Sequence, residues 1–110
     1  MERVYNKLVR DKIPEIIEGK NETPVTRILN DDECKLELEK KLYEEYKEVI
    51  ESFGEDRLFE LADMIEVIKS LALLSGKTLE DIIELANGKR NKRGGFEKKI
   101  FLEKVIESKQ

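Results

Sequence analysis

Two long apolar and acidic stretches, divided by a break at Ser52, Phe53, Gly54 and Glu55, constrain this chain more than any other part of it. Before the break, Leu42, Tyr46, Val49, Ile50 and Phe53 recur at helical period. After it, Leu58, Leu61, Ile65, Ile68 and Ala72 form one stripe, and Met64, Val67, Leu71 and Leu74 form a second. A helix with two such stripes is apolar over most of its circumference and is expected to be buried on two sides. One side can pack on the preceding helix. The other calls for further helices, such as those of a second subunit. A break this short between two helices predicts an antiparallel hairpin.

Each half of the hairpin carries an acidic pair at i, i+3: Glu45 with Glu48, and Glu60 with Asp63. That spacing puts both members of a pair on one helix face. Folding the hairpin can then bring four carboxylates together. Oxygen donors with no His in the chain suit a hard cation such as Mg²⁺. Glu60 falls within the second apolar stripe, where a carboxylate is costly unless paired or bound to a metal. Glu60 and Asp63 are expected to have no matching basic partners around them. The ordinary reading of Glu-rich helices is a solvated face, and Glu44, Glu48 and Glu51 fit that reading taken alone.

The flanks are less regular. Asp11 can cap a short helix from Lys12 to Glu18, with Pro14 tolerated in its first turn and Gly19 ending it. The residues from Val25 to Leu29 read as a short strand. Asn30 with Glu33 has the spacing of a helix cap and opens the first long helix, which Gly54 is expected to end. Glu55 or Asp56 begins the second, which runs to about Ser75 with Gly76 as its stop. Thr78 with Asp81 opens a third, with Leu79, Ile82, Ile83, Leu85 and Ala86 on its apolar face; it is expected to fray near Gly88 or Asn91. Lys89 to Gly95 reads as a basic loop, and Phe96 to Ser108 as a strand paired with Val25 to Leu29 or as a short helix. The expected fold is therefore a single, mostly all-α domain over residues 1–110. It is a bundle of antiparallel helices completed by oligomerisation, with one small two-stranded β element from the ends.

Composition narrows the function. Hydrophobic residues are 39% of the 110, with three Tyr, four Phe and no Trp, a thin core for a chain that stands alone. Charged residues are 42% against a usual ~25%. The signs are mixed, 21 Lys and Arg against 25 Asp and Glu, which argues against a nucleic-acid polymer as partner. Without His there is no His general base and no His-containing zinc site. Cys34, the one cysteine, has no His to pair with and reads as an ordinary helix residue. The charged start at Glu2 and Arg3 and the lack of a long apolar run predict a cytoplasmic protein with no membrane partner.

The spacing Glu45-x-x-Glu48, then Glu60-x-x-Asp63, resembles the signature of the all-α nucleoside triphosphate pyrophosphohydrolases, the MazG-like superfamily. The run from Tyr5 through Asn6, Lys7, Arg10 and Lys12 to Pro14, and the run from Lys92 to Phe96, are similar to a phosphoribosyl-ATP pyrophosphohydrolase-like, house-cleaning branch. The resemblance covers nearly the whole chain. It implies a cytoplasmic homodimer or higher homo-oligomer that hydrolyses a nucleoside triphosphate, in particular a non-canonical one, to the monophosphate and pyrophosphate. It implies Glu45, Glu48, Glu60 and Asp63 as ligands of Mg²⁺, with Mn²⁺ as the alternative. Glu44 or Glu48 would hold or deprotonate the attacking water. Lys89 and Arg93 would contact phosphates, and Asn6, Lys7, Arg10 and Lys12 would add phosphate or base contacts. A triphosphate needs positive charge on its free oxygens, and Arg supplies it in a bidentate fork. The rival readings are phosphoribosyl-ATP pyrophosphohydrolase of histidine biosynthesis and a non-catalytic nucleotide-binding helical dimer.

Overall fold

The computed structural model describes residues 1–108, and within them the chain is all-helical. Four helices occur among the described residues: α1 (Ile13–Glu18), α2 (Asp31–Glu51), α3 (Gly54–Leu74) and α4 (Leu79–Arg93). The chain falls into two units, Met1–Leu79 and Glu80–Gln110.

In the first unit α2 and α3 pack on each other as a hairpin of two 21-residue helices, each about 31 Å long. The buried core lies on this pair: Leu38 on α2, and Val67 and Ala72 on α3. The N-terminus of α2 is fixed as its sequence predicts. The Asn30 side chain accepts a hydrogen bond from the Glu33 backbone N–H at 2.9 Å, and Asp31, Asp32 and Glu33 bring negative charge to the positive end of the helix dipole. Arg27 donates to the Glu33 carboxylate at 3.0 Å, which ties the preceding segment to the same turn. At its other end α2 stops at Glu51, where the Ser52 hydroxyl donates to the Val49 carbonyl at 3.1 Å. Gly54 does not end this helix but opens α3, with φ of +57°. The link is thus only Ser52 and Phe53, and reversing the chain in so few residues takes the left-handed backbone that glycine adopts without steric cost. α3 ends as expected at Gly76: its N–H donates to Leu73 O at 3.0 Å, that of Lys77 to Ala72 O at 2.9 Å, and Gly76 has φ of +76°. These two bonds satisfy carbonyls that the helix end would otherwise leave open.

Of the two stripes on α3, the one that holds Val67 and Glu60 supplies more of the burial. Val67 is 6% exposed, whereas Leu58 is 66% and Ile65 50% exposed on the other. Ala72, at the far end of that other stripe, is buried.

Three local expectations are corrected. α1 begins at Ile13 with Lys12 in the capping place and no side-chain cap; Asp11 sits in the turn before it. The expected β element is not formed among the described residues: Val25 to Leu29 and Phe96 to Ser108 are neither strand nor helix. β-branched residues favour a pleat only where a neighbouring strand completes the ladder, so their propensity alone does not make one. In the second unit, Lys89 to Arg93 are not a loop but the last turns of α4. Lys and Arg are good helix formers, and Arg90, Lys92 and Arg93 lie at the negative end of the dipole. The helix closes at Gly94, whose N–H donates to Arg90 O at 2.7 Å with φ of +85°, and Arg90 is ion-paired with Glu97 just beyond.

Candidate metal centre

Glu45 lies six residues before the last residue of α2, Glu51, and Glu60 six residues after the first of α3, Gly54. The tight link therefore sets them level across the hairpin, and Asp63 follows Glu60 by one turn on the same face. One carboxylate oxygen from each of Glu45, Glu60 and Asp63 lies within 4.8 Å of the others, and all three residues are half-buried. Glu48, the fourth acid of the two pairs, is exposed and stands outside this trio. Its charge still reaches Glu45 and adds to the repulsion there.

The electrostatics centre on Glu45. Its Oε2 is buried and has no hydrogen-bond partner. Burial raises the pKa of this carboxyl above the ordinary range, and the charges of Asp63 and Glu60 push it further up; Lys41 opposes them. An orphaned carboxylate oxygen facing two more carboxylates is what a divalent cation would relieve. With oxygen as the donor type throughout, the trio fits a hard ion such as Mg²⁺.

Two basic residues bear on the trio. Lys41 lies one turn before Glu45 on α2 and partly offsets the negative charge; its i, i+4 spacing to Glu45 is the mark of this pair in the sequence. The expectation that Asp63 has no basic partner is corrected: the Arg10 guanidinium donates from Nη2 to Asp63 Oδ1 at 2.8 Å. The two are 53 positions apart, so only the tertiary fold reveals the pair.

The other expected site residues are more scattered. Glu44 is exposed on α2. Asn6, Lys7 and Lys12 are exposed in the segment that carries Arg10, with Asn6 at φ of +45°. Lys89 and Arg93 are exposed on α4, in the second unit. Cys34 is a free, half-buried thiol within α2. Among the described residues, no helix is long and apolar enough to cross a membrane.

No protein-family model matches the chain, and no solved structure is significantly similar to it. A protein of Mycolicibacterium smegmatis, described as uncharacterized, is 52% identical over 42 residues. That match spans 38% of this chain and 43% of the relative's length. The likeness covers less than half of each sequence.

Proposed function

We propose that this chain is a divalent-cation-dependent nucleoside triphosphate pyrophosphohydrolase, releasing pyrophosphate and a nucleoside monophosphate. The observation that carries the reading is the convergence of Glu45, Glu60 and Asp63 from two helices around a buried carboxylate oxygen with no partner. The motifs described above, which resemble the MazG-like superfamily, supply the reaction. They also support a house-cleaning role toward non-canonical nucleotides.

In this reading Glu45, Glu60 and Asp63 hold Mg²⁺, with Glu48 completing the acidic face from its exposed position. The cation's chemistry is to neutralise charge on phosphoryl oxygens and to make water a better nucleophile at neutral pH. The chain's own residues orient the rest. Glu44 and Glu48 are exposed carboxylates one turn apart on α2, either of which would hold the attacking water and accept its proton. Arg10, already beside Asp63, brings a guanidinium within reach of a phosphate on the same centre. No covalent intermediate is required, in keeping with a chain without His.

The same reading takes the protein as a homo-oligomer. Tyr43, Tyr46, Ile50, Leu58 and Phe59 are exposed large apolar residues on the two helices that carry the site, and Phe53 is exposed in the link between them. Exposed apolar side chains in this number support an interaction face on the hairpin. A two-helix hairpin with three buried core residues gains much of its stability from such a face.

The test is pyrophosphate release from a panel of canonical, oxidised and deaminated nucleoside triphosphates, with Mg²⁺ and with EDTA. Release that needs the cation, and that is lost in Glu48→Gln and in Asp63→Asn while helix content is kept, is the expected result. Folded protein that binds nucleotides without releasing pyrophosphate is instead a binding module. Release from phosphoribosyl-ATP alone would move the assignment to histidine biosynthesis.

A further inference from the structure

We infer that Arg10 is a cation-released anion clamp: it occupies Asp63 while the acidic centre is empty, and cation binding frees its guanidinium to grip a phosphate. This rests on the reading of Glu45, Glu60 and Asp63 as a cation centre. The three carboxylates are not equivalent. Asp63 is neutralised by Arg10 through a 2.8 Å hydrogen bond to Oδ1, whereas Glu45 Oε2 has no partner. Arg10 is therefore the mobile positive charge that stands in for a cation at one corner of the trio.

Such a stand-in must be easy to displace, and this one is. The pair is well exposed on both sides, 60% for Arg10 and 44% for Asp63. An exposed ion pair holds weakly and is screened by salt. Arg10 also lies outside the helices, three residues before α1, where its side chain can swing without unwinding one. Once a divalent ion sits among the carboxylates, its charge repels the guanidinium. The freed planar fork then matches two oxygens of a phosphate. Cation and anion are coupled through one side chain, and by linkage each raises the affinity for the other. A static alternative is that Asp63 keeps Arg10 on Oδ1 while offering its other oxygen to the cation.

The experiment is calorimetric titration of the full chain and of Arg10→Gln with Mn²⁺ alone, then with inorganic tripolyphosphate at saturating Mn²⁺. Removing the competitor should tighten Mn²⁺ binding, by up to about five-fold for an exposed pair. It should weaken tripolyphosphate binding about ten-fold, the loss of one charged hydrogen-bonding partner. In parallel, the Arg10 Nε resonance of the unaltered protein should shift on adding Mg²⁺ and shift again with tripolyphosphate. Unchanged or weaker Mn²⁺ affinity in Arg10→Gln, or an Nε resonance that ignores Mg²⁺, overturns the clamp and leaves the cation centre standing. A wild-type chain that binds no Mn²⁺ overturns the centre itself, and the clamp with it.

Discussion

Replacing Glu45 with Gln should make the cation-free protein more stable and the cation-loaded protein less stable, a reversal that no simple packing effect produces. The size of the first effect follows from the geometry. Two unit charges 4.8 Å apart repel by about 0.9 kcal/mol in water, and by about 3.5 kcal/mol at an effective dielectric of 20. Glu45 faces two such charges, those of Glu60 and Asp63. The site is half-buried, Arg10 already neutralises Asp63, and Lys41 offsets part of the field. These place the net relief near the low end, about 1 kcal/mol. For a domain of this size that is roughly 4–8 °C in Tm. Gln keeps the volume, and its amide can donate to the neighbouring carboxylates. On the proposed function the sign inverts in Mg²⁺, because a ligand at one hundred times its Kd stabilises the native state by about 2.7 kcal/mol, and the variant would lose one of the three carboxylates proposed to hold it. The assay is urea unfolding of both proteins in EDTA and in excess Mg²⁺, at matched protein concentration. A Glu45→Gln chain less stable than wild type in EDTA, or equally stabilised by Mg²⁺, would refute the reasoning.

The same residue predicts a pH signature. The native Glu45 carboxyl titrates above its ordinary value of 4.5, so its contribution to stability is present below that value and lost as pH rises through the native one. In EDTA, the advantage of Glu45→Gln over wild type should therefore grow as pH rises above 4.5 and shrink toward zero as the pH approaches 4; an advantage constant with pH would contradict the assigned cause. Glu33 works in the opposite sense: the Arg27 hydrogen bond holds its pKa below the ordinary value. The stability it contributes is present above that value and lost as pH falls through the native one, so Arg27→Gln should flatten this acid limb in thermal melts. Asn30→Ala should cost about 1 kcal/mol in urea unfolding by freeing the Glu33 N–H, and an unchanged midpoint would show that the cap carries no weight. On the proposed homo-oligomer, Ile65→Asp on the open face of α3 should shift sedimentation toward monomer while helix content is retained; an unaltered sedimentation coefficient would remove this face from the proposed assembly.

Patterns with a single physical cause were legible in the sequence. Asn30 and Gly76 mark helix ends because capping chemistry is local, and both ends fall where expected. Glu60 stood out because a carboxylate inside an apolar stripe needs a reason, and it stands beside Glu45. What was not legible depends on partners. Val25 to Leu29 has the residues of a strand, but strand propensity is realised only through a neighbour. The charges of Lys89 to Arg93 resemble a loop until the dipole of α4 is taken into account. The Arg10–Asp63 bond joins residues whose proximity no periodicity encodes. Likewise, the sequence gives α3 two apolar stripes but not which one packs on α2; Leu58 and Ile65 remain open.

The two-residue link between α2 and α3 also has a kinetic consequence. Glu45, Glu60 and Asp63 fall within a short stretch of chain closed by one tight reversal, so their meeting has low contact order. Helix growth takes on the order of a microsecond, and closing a short loop less than that. Docking α2 on α3 is thus among the earliest events open to the chain, and it brings three negative charges together before anything else is in place. The acids therefore act as a brake on the step that topology favours most. Dissolved divalent ions should speed refolding as well as stabilise the product, because the repulsion they relieve is already present at the barrier.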